Sequence, residues 1–319
     1  MNRAFAAVAL FAVAGCVAAA PRPFAAPTDD VRSGRFVVVG DLQRTSLLEF
    51  WREQNDSERA RIVAAIARER PDFVAITGDL VFDGSSSSKW ADFDALCAPL
   101  RDASIPAVGA FGNHEYWGGR LGERGFFARF PHLEERHHYT LAYGPLRLVF
   151  LDSNVVDLED DEWDAQRGWY EAELARLDRD DEVRGVVVLM HHPPYTNSTV
   201  TSDEPHVQDA FLPAFMGAKK TIAMMSGHVH SYERFERGGK TFVVSGGGGG
   251  PRALLATGDA RRHADDRFAG PALRDFNFTI YALTERALEA DVKGLAKGGD
   301  AVRTIDRFAI PWPVSGTSR

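Results

Sequence analysis

The 319-residue sequence has only two cysteines, Cys16 and Cys97. If Cys16 is lipidated or cleaved away, Cys97 has no intramolecular partner, which excludes a disulfide framework. The shortage of cysteine also argues against a structural zinc site, because such sites normally use thiolates. Cys97 lies in an amphipathic stretch, residues 89–103, where we expect it to act as a small buried apolar side chain.

The sequence also has fewer basic than acidic residues, 37 against 45, which gives a formal net charge of −8. This balance argues against nucleic-acid binding by bulk electrostatics, although a bound metal can still attract a small anion. The sequence has no Gly-x-Ser-x-Gly motif, and no Gly-Lys-Ser/Thr follows its five consecutive glycines, Gly246 to Gly250. Those glycines are therefore expected to let the backbone pass close to a site.

The N-terminal apolar run, residues 4–14, follows Met1-Asn2-Arg3 and is too short for a transmembrane helix. It ends in Val13-Ala14-Gly15-Cys16, which resembles a bacterial lipobox. That resemblance implies a signal peptide (1–15), a lipidated N-terminus with a flexible linker (16–34) and a domain (35–319). The protein would then be anchored at Cys16 in the cell envelope, facing the periplasm or the cell surface. Soluble secretion and a retained N-terminal anchor are the alternatives.

From residue 35 onward, short apolar strands alternate with helical patterns. Strands are predicted at 36–39, 73–76, 105–110, 186–190, 221–225 and 241–244, and helices at 57–70, 89–101 and 163–177. This alternation predicts parallel pairing and an α/β fold. Residues 139–151 indicate a hairpin, and the strands predicted at 276–283, 287–292 and 301–305 are expected to form the tail of a second sheet.

Polar side chains suited to metal binding follow directly after the predicted strands. They are Asp41, Asp79, Asn113, His191, His228 and His230. Ligands of α/β sheets gather at the carboxyl ends of strands, and this mixture of oxygen and imidazole donors suits Zn, Mn or Fe. Six donors exceed the need of one catalytic ion but suffice for two ions that share a carboxylate, an arrangement suited to displacement at phosphorus.

These residues lie in motifs that, in order, resemble those of the calcineurin-like metallophosphoesterases. The motifs are Gly40-Asp41, Gly78-Asp79, Gly112-Asn113-His114-Glu115, His191 and Gly227-His228-Val229-His230. Residues 189–195 and 227–234 are most similar to the purple acid phosphatase branch. The resemblance implies an αββα sandwich of two mixed β-sheets flanked by helices.

The resemblance also implies a function. A hydroxide held by two divalent metal ions would attack a phosphate monoester, a small phosphorylated substrate. A phosphodiesterase acting on nucleotides or phospholipid head groups is the alternative, and a non-catalytic surface lipoprotein is a third hypothesis. No nucleic-acid partner is expected, and membrane contact would occur only through the lipid anchor.

Residue roles follow from the same resemblance. Asp79 would bridge the two ions, Asp41 and His230 would hold the first, and Asn113, His191 and His228 would hold the second. His114 would face the phosphate as an electrostatic stabiliser or general acid, and Glu115 would orient His114. His192, Tyr195, Tyr232, Arg234 and Tyr116 are candidate substrate contacts. His137 and His138 are expected on the surface, and a turn or cap role is favoured for Asp152.

Two positions depart from the family pattern. Gln43 stands where many members have histidine, and Phe82 stands where purple acid phosphatases have a metal-binding tyrosine. Because a phenyl ring cannot coordinate metal, a colourless pair of divalent ions is expected, with weaker binding at the first position. Gln43 is expected to be a weak ligand or a neighbour of one, with water in that position as the alternative.

Overall fold

The computed structural model describes residues 20–46, 48–268 and 270–313. The predicted signal peptide and the lipidation of Cys16 lie outside these residues. Within the described ranges, no helix combines the length and apolar character needed to cross a membrane.

The described residues form twelve strands and eight α-helices. The strands are β1 (Arg35–Val39), β2 (Phe73–Ile76), β3 (Ala107–Gly109), β4 (Tyr139–Tyr143), β5 (Leu146–Phe150), β6 (Gly185–Leu189), β7 (Thr221–Ser226), β8 (Tyr232–Arg237), β9 (Lys240–Ser245), β10 (Phe276–Leu283), β11 (Ala287–Leu295) and β12 (Arg303–Pro311). The helices are α1 (Asp56–Glu69), α2 (Ser87–Leu96), α3 (Ala98–Asp102), α4 (Asn113–Tyr116), α5 (Arg120–Phe127), α6 (Asp160–Asp178), α7 (Pro205–Ala210) and α8 (Leu212–Gly217).

The first sheet has the order β12-β11-β10-β1-β2-β3. β1, β2 and β3 are parallel, whereas β10 pairs antiparallel with β1, with Val37 opposite Ile280. The expectation that the C-terminal strands belong to a second sheet was therefore wrong. Six consecutive residues of β10 are buried, which requires a position inside a sheet rather than at an edge.

The second sheet has the order β4-β5-β6-β7-β9-β8. Its centre is parallel, and antiparallel hairpins close both edges. Successive side chains of β5 point to opposite faces. Leu148 and Phe150 enter the core between the sheets, while Val149 packs with Tyr170 and Leu174 of α6 on the outer side. The layers are thus helix, sheet, sheet and helix, and the predicted αββα sandwich of mixed sheets is confirmed.

The predicted helix at 89–101 is divided into α2 and α3 at Cys97. Pro99 lies in the first turn of α3, where a residue without an N–H is tolerated but cannot continue the preceding helix. Cys97 is fully buried, as expected, and burial raises the pKa of its thiol to about 12.

The described part of the segment before β1, residues 20–34, is not the flexible linker expected from its composition. Phe24 is buried, its ring lies 5.6 Å from that of Phe130, and the guanidinium of Arg101 lies 4.1 Å from its centroid. The carboxylate of Asp72 accepts hydrogen bonds from the backbone N–H groups of Arg32, Ser33 and Gly34. Burial of one aromatic ring and capture of these N–H groups fix the segment to the domain, which its Pro/Ala-rich composition does not reveal.

Candidate metal centre

The carboxyl ends of β1 and β2 in one sheet and of β6 and β7 in the other meet at one edge of the molecule. The ligand atoms of Asp41, Asp79 and His230 lie within 4.8 Å of one another, and so do those of His191, His192 and His228. Residues that are up to 189 positions apart in the sequence are thus gathered into two adjoining donor sets.

Asp79 lies between the two sets. Its Oδ1 is 3.4 Å from His191 Nε2, and its Oδ2 is 3.0 Å from Gln43 Nε2. On the Gln43 side, Asp41 Oδ1 lies 3.3 Å from His230 Nε2. The two carboxylate oxygens of Asp79 therefore face different sets, which is the arrangement that a bridging ligand requires.

The second set is centred on His191. Its Nε2 lies 3.2 Å from Asn113 Oδ1 and 3.1 Å from His228 Nδ1. Asn113 is the first residue of α4, so the turn that begins this helix brings the amide to the end of β6. All six donors predicted from the strand ends are thus brought together by the fold.

Backbone carbonyl groups orient three of the imidazoles. His191 Nδ1 lies 2.8 Å from the carbonyl oxygen of Thr77, and His230 Nδ1 lies 2.8 Å from that of Pro251. His114 Nδ1 lies 2.6 Å from the carbonyl oxygen of Phe82. Because a carbonyl oxygen can only accept, each Nδ1 carries the proton and each Nε2 keeps its lone pair for the site.

This orientation leaves lone pairs facing one another, which is unfavourable unless a cation lies among them. Burial lowers the pKa of His191, but the charge and hydrogen bond of Asp79, the charge of Asp41 and the Thr77 carbonyl group together raise it to about 9. Burial likewise lowers the pKa of His230, and Asp41 raises it above its ordinary value. The field of the site therefore favours positive charge, and its oxygen and imidazole donors fit a pair of divalent transition-metal ions.

The donors are carried on strained backbone. Asp41, Asp79, His228 and His230 have φ values of +62°, +54°, +69° and +52°. Non-glycine residues in this left-handed region cost on the order of 1–3 kcal/mol each and persist only where surrounding contacts hold them. Four such residues in one small region indicate a site whose geometry is maintained at the expense of local stability.

Glycines beside the donors are required by close approach. A Cβ on Gly112 would lie 2.2 Å from Asp79 Oδ1, and one on Gly246 would lie 2.5 Å from Asp41 Oδ2. Gly246 begins the run of five glycines, which therefore passes directly beside the site, as its composition predicts. The glycine that precedes a donor in the Gly-Asp, Gly-Asn and Gly-His pairs is thus partly explained by the lack of space for a side chain there.

Gln43 also lies within the first donor set. Its Nε2 is 3.0 Å from both Asp79 Oδ2 and His230 Nε2, while its Oε1 is buried and has no hydrogen-bond partner among the residues that the structure describes. A half-turn of the amide exchanges the two atoms and directs the unpartnered oxygen at Asp79 and His230. A buried oxygen without a hydrogen-bond partner, next to a carboxylate oxygen and an imidazole nitrogen that both carry lone pairs, fits the position of a bound cation.

Comparison with known proteins identifies the family of this fold and site. Residues 34–232 match the sequence model of the family described as calcineurin-like phosphoesterase. The chain belongs to this family. Membership implies a metal-dependent phosphoester hydrolase with a binuclear centre, in agreement with the two donor sets.

Among individual proteins, the chain is 29% identical to purple acid phosphatase 22 of Arabidopsis thaliana in a 214-residue alignment that covers 63% of this chain and 45% of the relative. The chain spans about half the length of the curated relatives it matches. Two solved structures share the fold at a TM-score of 0.67 each. The purple acid phosphatase PPD1 of yellow lupin (22% identical) covers 92% of this chain and 55% of its own. The match to GAP50, described as the anchor in the inner membrane complex of Plasmodium (14% identical), covers 89% of this chain and 90% of GAP50. The predicted resemblance to the purple acid phosphatase branch is confirmed.

In this family member, Glu115 does not orient His114 as expected. Its carboxylate instead accepts hydrogen bonds from the backbone N–H groups of Asp79, Leu80, Val81 and Gly112, at 2.8–3.2 Å. Burial and the nearby charge of Asp79 raise the pKa of Glu115 to about 8. Glu115 therefore holds the loop that carries Asp79. The His114 ring is oriented by the Phe82 carbonyl group and not by Glu115.

Three candidate substrate contacts lie elsewhere. The Tyr232 hydroxyl donates to Asp306 at 2.8 Å, and Arg234 Nε donates to the same carboxylate at 3.0 Å. The Tyr195 ring packs against Phe242 at 5.2 Å, on the outer face of the second sheet. The prediction failed for Tyr232 and Arg234 because β8 begins at residue 232, so they belong to a strand and not to the loop of the site.

His192 remains beside the donors. Its ring lies 4.4 Å from that of His228, and its Nδ1 lies 2.9 Å from Ser153 Oγ. Burial and the charge of His191 lower the pKa of His192 to about 3, so the ring is neutral at physiological pH. This neutral imidazole borders the second donor set, and its predicted contact with the substrate stays a prediction.

Tyr116, His137 and Asp152 form a separate polar cluster. Tyr116 donates a hydrogen bond to the buried Asp152 carboxylate, and His137 Nδ1 lies 3.1 Å from the same group. Asp152 Oδ1 also accepts from the backbone N–H of Asn154 at 3.0 Å, a turn contact of the kind expected. His137 is therefore not the surface residue predicted, and Tyr116 does not contact the metal centre.

The donors open onto a cavity of about 160 Å³. It is lined by six residues of the sequence motifs, Asp79, Asn113, His114, His228, Val229 and His230. Four more lining residues, which no sequence motif indicated, are Arg52, Val200, Thr201 and Ala253. Arg52 lies in the irregular segment between β1 and α1, where no periodicity predicts which side chains point inward.

Proposed function

We propose that the protein is a metal-dependent phosphohydrolase that cleaves phosphate monoesters. The observation that carries this proposal is the convergence of lone-pair donors on Asp79, with imidazoles fixed by backbone carbonyl groups. Membership in the calcineurin-like phosphoesterase family supports hydrolysis of a phosphoester. Similarity to purple acid phosphatases, together with the small cavity, favours a monoester.

The described residues divide naturally between two ions. Asp41, Gln43 and His230 would hold the first, Asn113, His191 and His228 would hold the second, and Asp79 would contact both. When bound, two divalent ions activate water and neutralise charge on the phosphoryl group. The fixed imidazole rings exclude alternative tautomers, so the site needs little rearrangement to accept the ions.

His114 is the residue placed to manage the proton of the leaving group. It lines the cavity, its side chain is 15% exposed, and its Nε2 lies 3.8 Å from Asp79 Oδ2. Because the Phe82 carbonyl group holds the Nδ1 proton, exchange with substrate occurs at Nε2. The protonated ring can donate to the departing oxygen, and it stabilises negative charge there in the same geometry.

The proposal is tested with protein stripped of metal by a chelator and reloaded with zinc, manganese or iron. We expect about two ions per chain and a kcat/KM for p-nitrophenyl phosphate at least about tenfold above that for bis(p-nitrophenyl) phosphate. A reversed preference would establish a diesterase. Fewer than one ion per chain, with no hydrolysis under any metal, would favour the non-catalytic hypothesis.

We also propose that the protein is anchored by lipid at Cys16 in the bacterial cell envelope, with secretion as the alternative. The lipobox-like Val13-Ala14-Gly15-Cys16 supports this location. Phe24 packs on the domain only eight residues later, so the anchor would hold that flank within about 30 Å of the membrane. Labelling with palmitate in cells should be lost in Cys16→Ser, and equal labelling of both proteins would contradict the proposal.

A further inference from the structure

We propose that Arg52 binds the terminal phosphoryl oxygens of the substrate and selects dianionic monoesters over diesters. This inference rests on the proposed hydrolytic function and assigns a residue to substrate recognition. This inference starts from a single guanidinium beside a cavity that is otherwise lined by metal donors, His114 and small or apolar residues. Among the described residues that line the cavity, Arg52 is the one lysine or arginine.

The segment that carries Arg52 is held in place from both sides. Arg252, whose side chain is 9% exposed, forms two hydrogen bonds of 2.7 and 3.0 Å with the carboxylate of the adjacent Glu53. Thr45 Oγ1 donates to the Glu53 carbonyl oxygen at 2.8 Å, and Asn55 Nδ2 donates to the carbonyl oxygen of Gly250 at 3.1 Å. Arg52 therefore projects from an anchored turn, and ordering it for substrate costs little entropy.

One carboxylate orients the Arg52 guanidinium and leaves other N–H donors of the group available. Arg52 Nη1 donates to Glu49 Oε1 at 3.0 Å, and the Arg52 side chain remains 33% exposed. In the described part of the chain, Glu49 is the one carboxylate paired with it. A guanidinium has five N–H donors in a rigid fork, so a single carboxylate contact leaves donors that match two oxygens of a phosphoryl group.

The size of the cavity restricts what can reach this fork. At about 160 Å³ it is smaller than pockets that enclose drug-sized ligands, so it admits a phosphoryl group while the rest of an ester lies outside. A monoester at neutral pH carries nearly two charges and three terminal oxygens. A diester carries one charge and a second organic substituent where the third oxygen would be, so only the monoester can satisfy both the metal donors and Arg52.

The experiment compares metal-loaded wild type with Arg52→Gln, Arg52→Lys and the matched control Arg44→Gln. Arg44 lies on the same segment with a similar exposure, 39% of its side chain, but pairs with Asp56 and Asp92 and does not line the cavity. The readouts are kcat/KM for p-nitrophenyl phosphate and its bis ester, binding of inorganic phosphate by calorimetry, and metal content.

For Arg52→Gln we expect monoester kcat/KM to fall about 10- to 100-fold, diester turnover to change less than about threefold, and phosphate to bind about tenfold more weakly. Arg52→Lys should show intermediate losses of monoester kcat/KM and phosphate affinity, because lysine keeps the positive charge and lacks the paired N–H donors of the guanidinium. Metal content of every variant and the activity of Arg44→Gln should match wild type. Equal losses on both esters, or unchanged phosphate binding, would overturn the assignment. If wild type hydrolyses neither ester, the proposed function fails, and phosphate binding alone then decides the role of Arg52.

Discussion

Replacing Glu115 by glutamine tests whether this residue supports the loop that carries Asp79 or acts on His114. In the structure, Oε1 accepts from the N–H groups of Leu80 and Val81, and Oε2 accepts from those of Asp79 and Gly112. A glutamine keeps one accepting oxygen and turns an NH₂ group toward the other two N–H donors. Two buried donors are then left without acceptors, at a cost of about 1–3 kcal/mol each.

The expected loss of unfolding free energy is therefore about 2–6 kcal/mol. For a domain of this size each kcal/mol lowers the melting temperature by about 2 °C, so Glu115→Gln should melt about 4–12 °C below wild type. The comparison belongs on metal-free protein at pH 9, because burial and Asp79 raise the pKa of Glu115 to about 8 and the carboxylate must be ionised to accept all four bonds.

His114→Gln is the matched control, since it removes the imidazole from the cavity without touching these backbone contacts. It should lower kcat and leave the melting temperature within about 2 °C of wild type. If Glu115→Gln instead melts like wild type while its kcat falls as in His114→Gln, the structural assignment is wrong and Glu115 acts through His114.

Three further changes have separate outcomes. Gln43→His should tighten metal binding at least about tenfold in a competitive chelator titration, because an imidazole replaces a neutral amide; unchanged affinity would place residue 43 outside the ligand shell. Gly112→Ala should reduce metal content and nearly abolish hydrolysis, because its Cβ would lie 2.2 Å from Asp79 Oδ1; full metal loading would contradict this. Glu58→Gln should lower stability at pH 7 by about 1–2 kcal/mol. Burial raises the pKa of Glu58, but hydrogen bonds from the N–H of Gly298, the hydroxyl of Ser57 and the ammonium of Lys297 contribute to lowering it to about 2. This stabilisation is therefore complete above pH 4.5 and disappears as pH falls toward 2. Urea unfolding of both proteins should show a smaller difference in unfolding free energy between wild type and Glu58→Gln at pH 3 than at pH 7. An equal difference at both pH values would refute the assigned role of the Glu58 carboxylate.

The metal donors could be predicted from the sequence because each lies just past a short apolar strand, and four of the six directly follow a glycine. Asp41, Asp79 and His191 come directly after strands whose burial is evident from their composition. The α/β alternation then places those strand ends along one edge. The α/β class and the donor residues follow from this local pattern, whereas the two-sheet sandwich and the division of the donors between two ions were implied by the family resemblance.

Contacts that depend on the path of the backbone could not be predicted in this way. The carbonyl groups of Thr77, Phe82 and Pro251 orient the imidazoles, yet any residue supplies a carbonyl oxygen. Arg52 enters the cavity from a segment without periodicity, and Tyr232 leaves the site because a strand begins there. Pairing of β10 with β1 joins segments about 240 residues apart, which strand patterns alone cannot assign.

The donor carboxylates also hold the loops of the site together. Both oxygens of Asp41 accept from the backbone N–H of His228, at 2.9 and 3.0 Å, and Asp79 Oδ1 accepts from the N–H of His114 at 3.1 Å. Three of the four residues joined by these bonds, Asp41, Asp79 and His228, have a left-handed backbone that is unfavourable by itself. An alanine at either aspartate would therefore remove a ligand and release strained backbone at once. Asparagine retains one accepting oxygen, so the difference between Asp41→Asn and Asp41→Ala, measured as melting temperature without metal, isolates the contribution of this carboxylate to the fold from its contribution to metal binding.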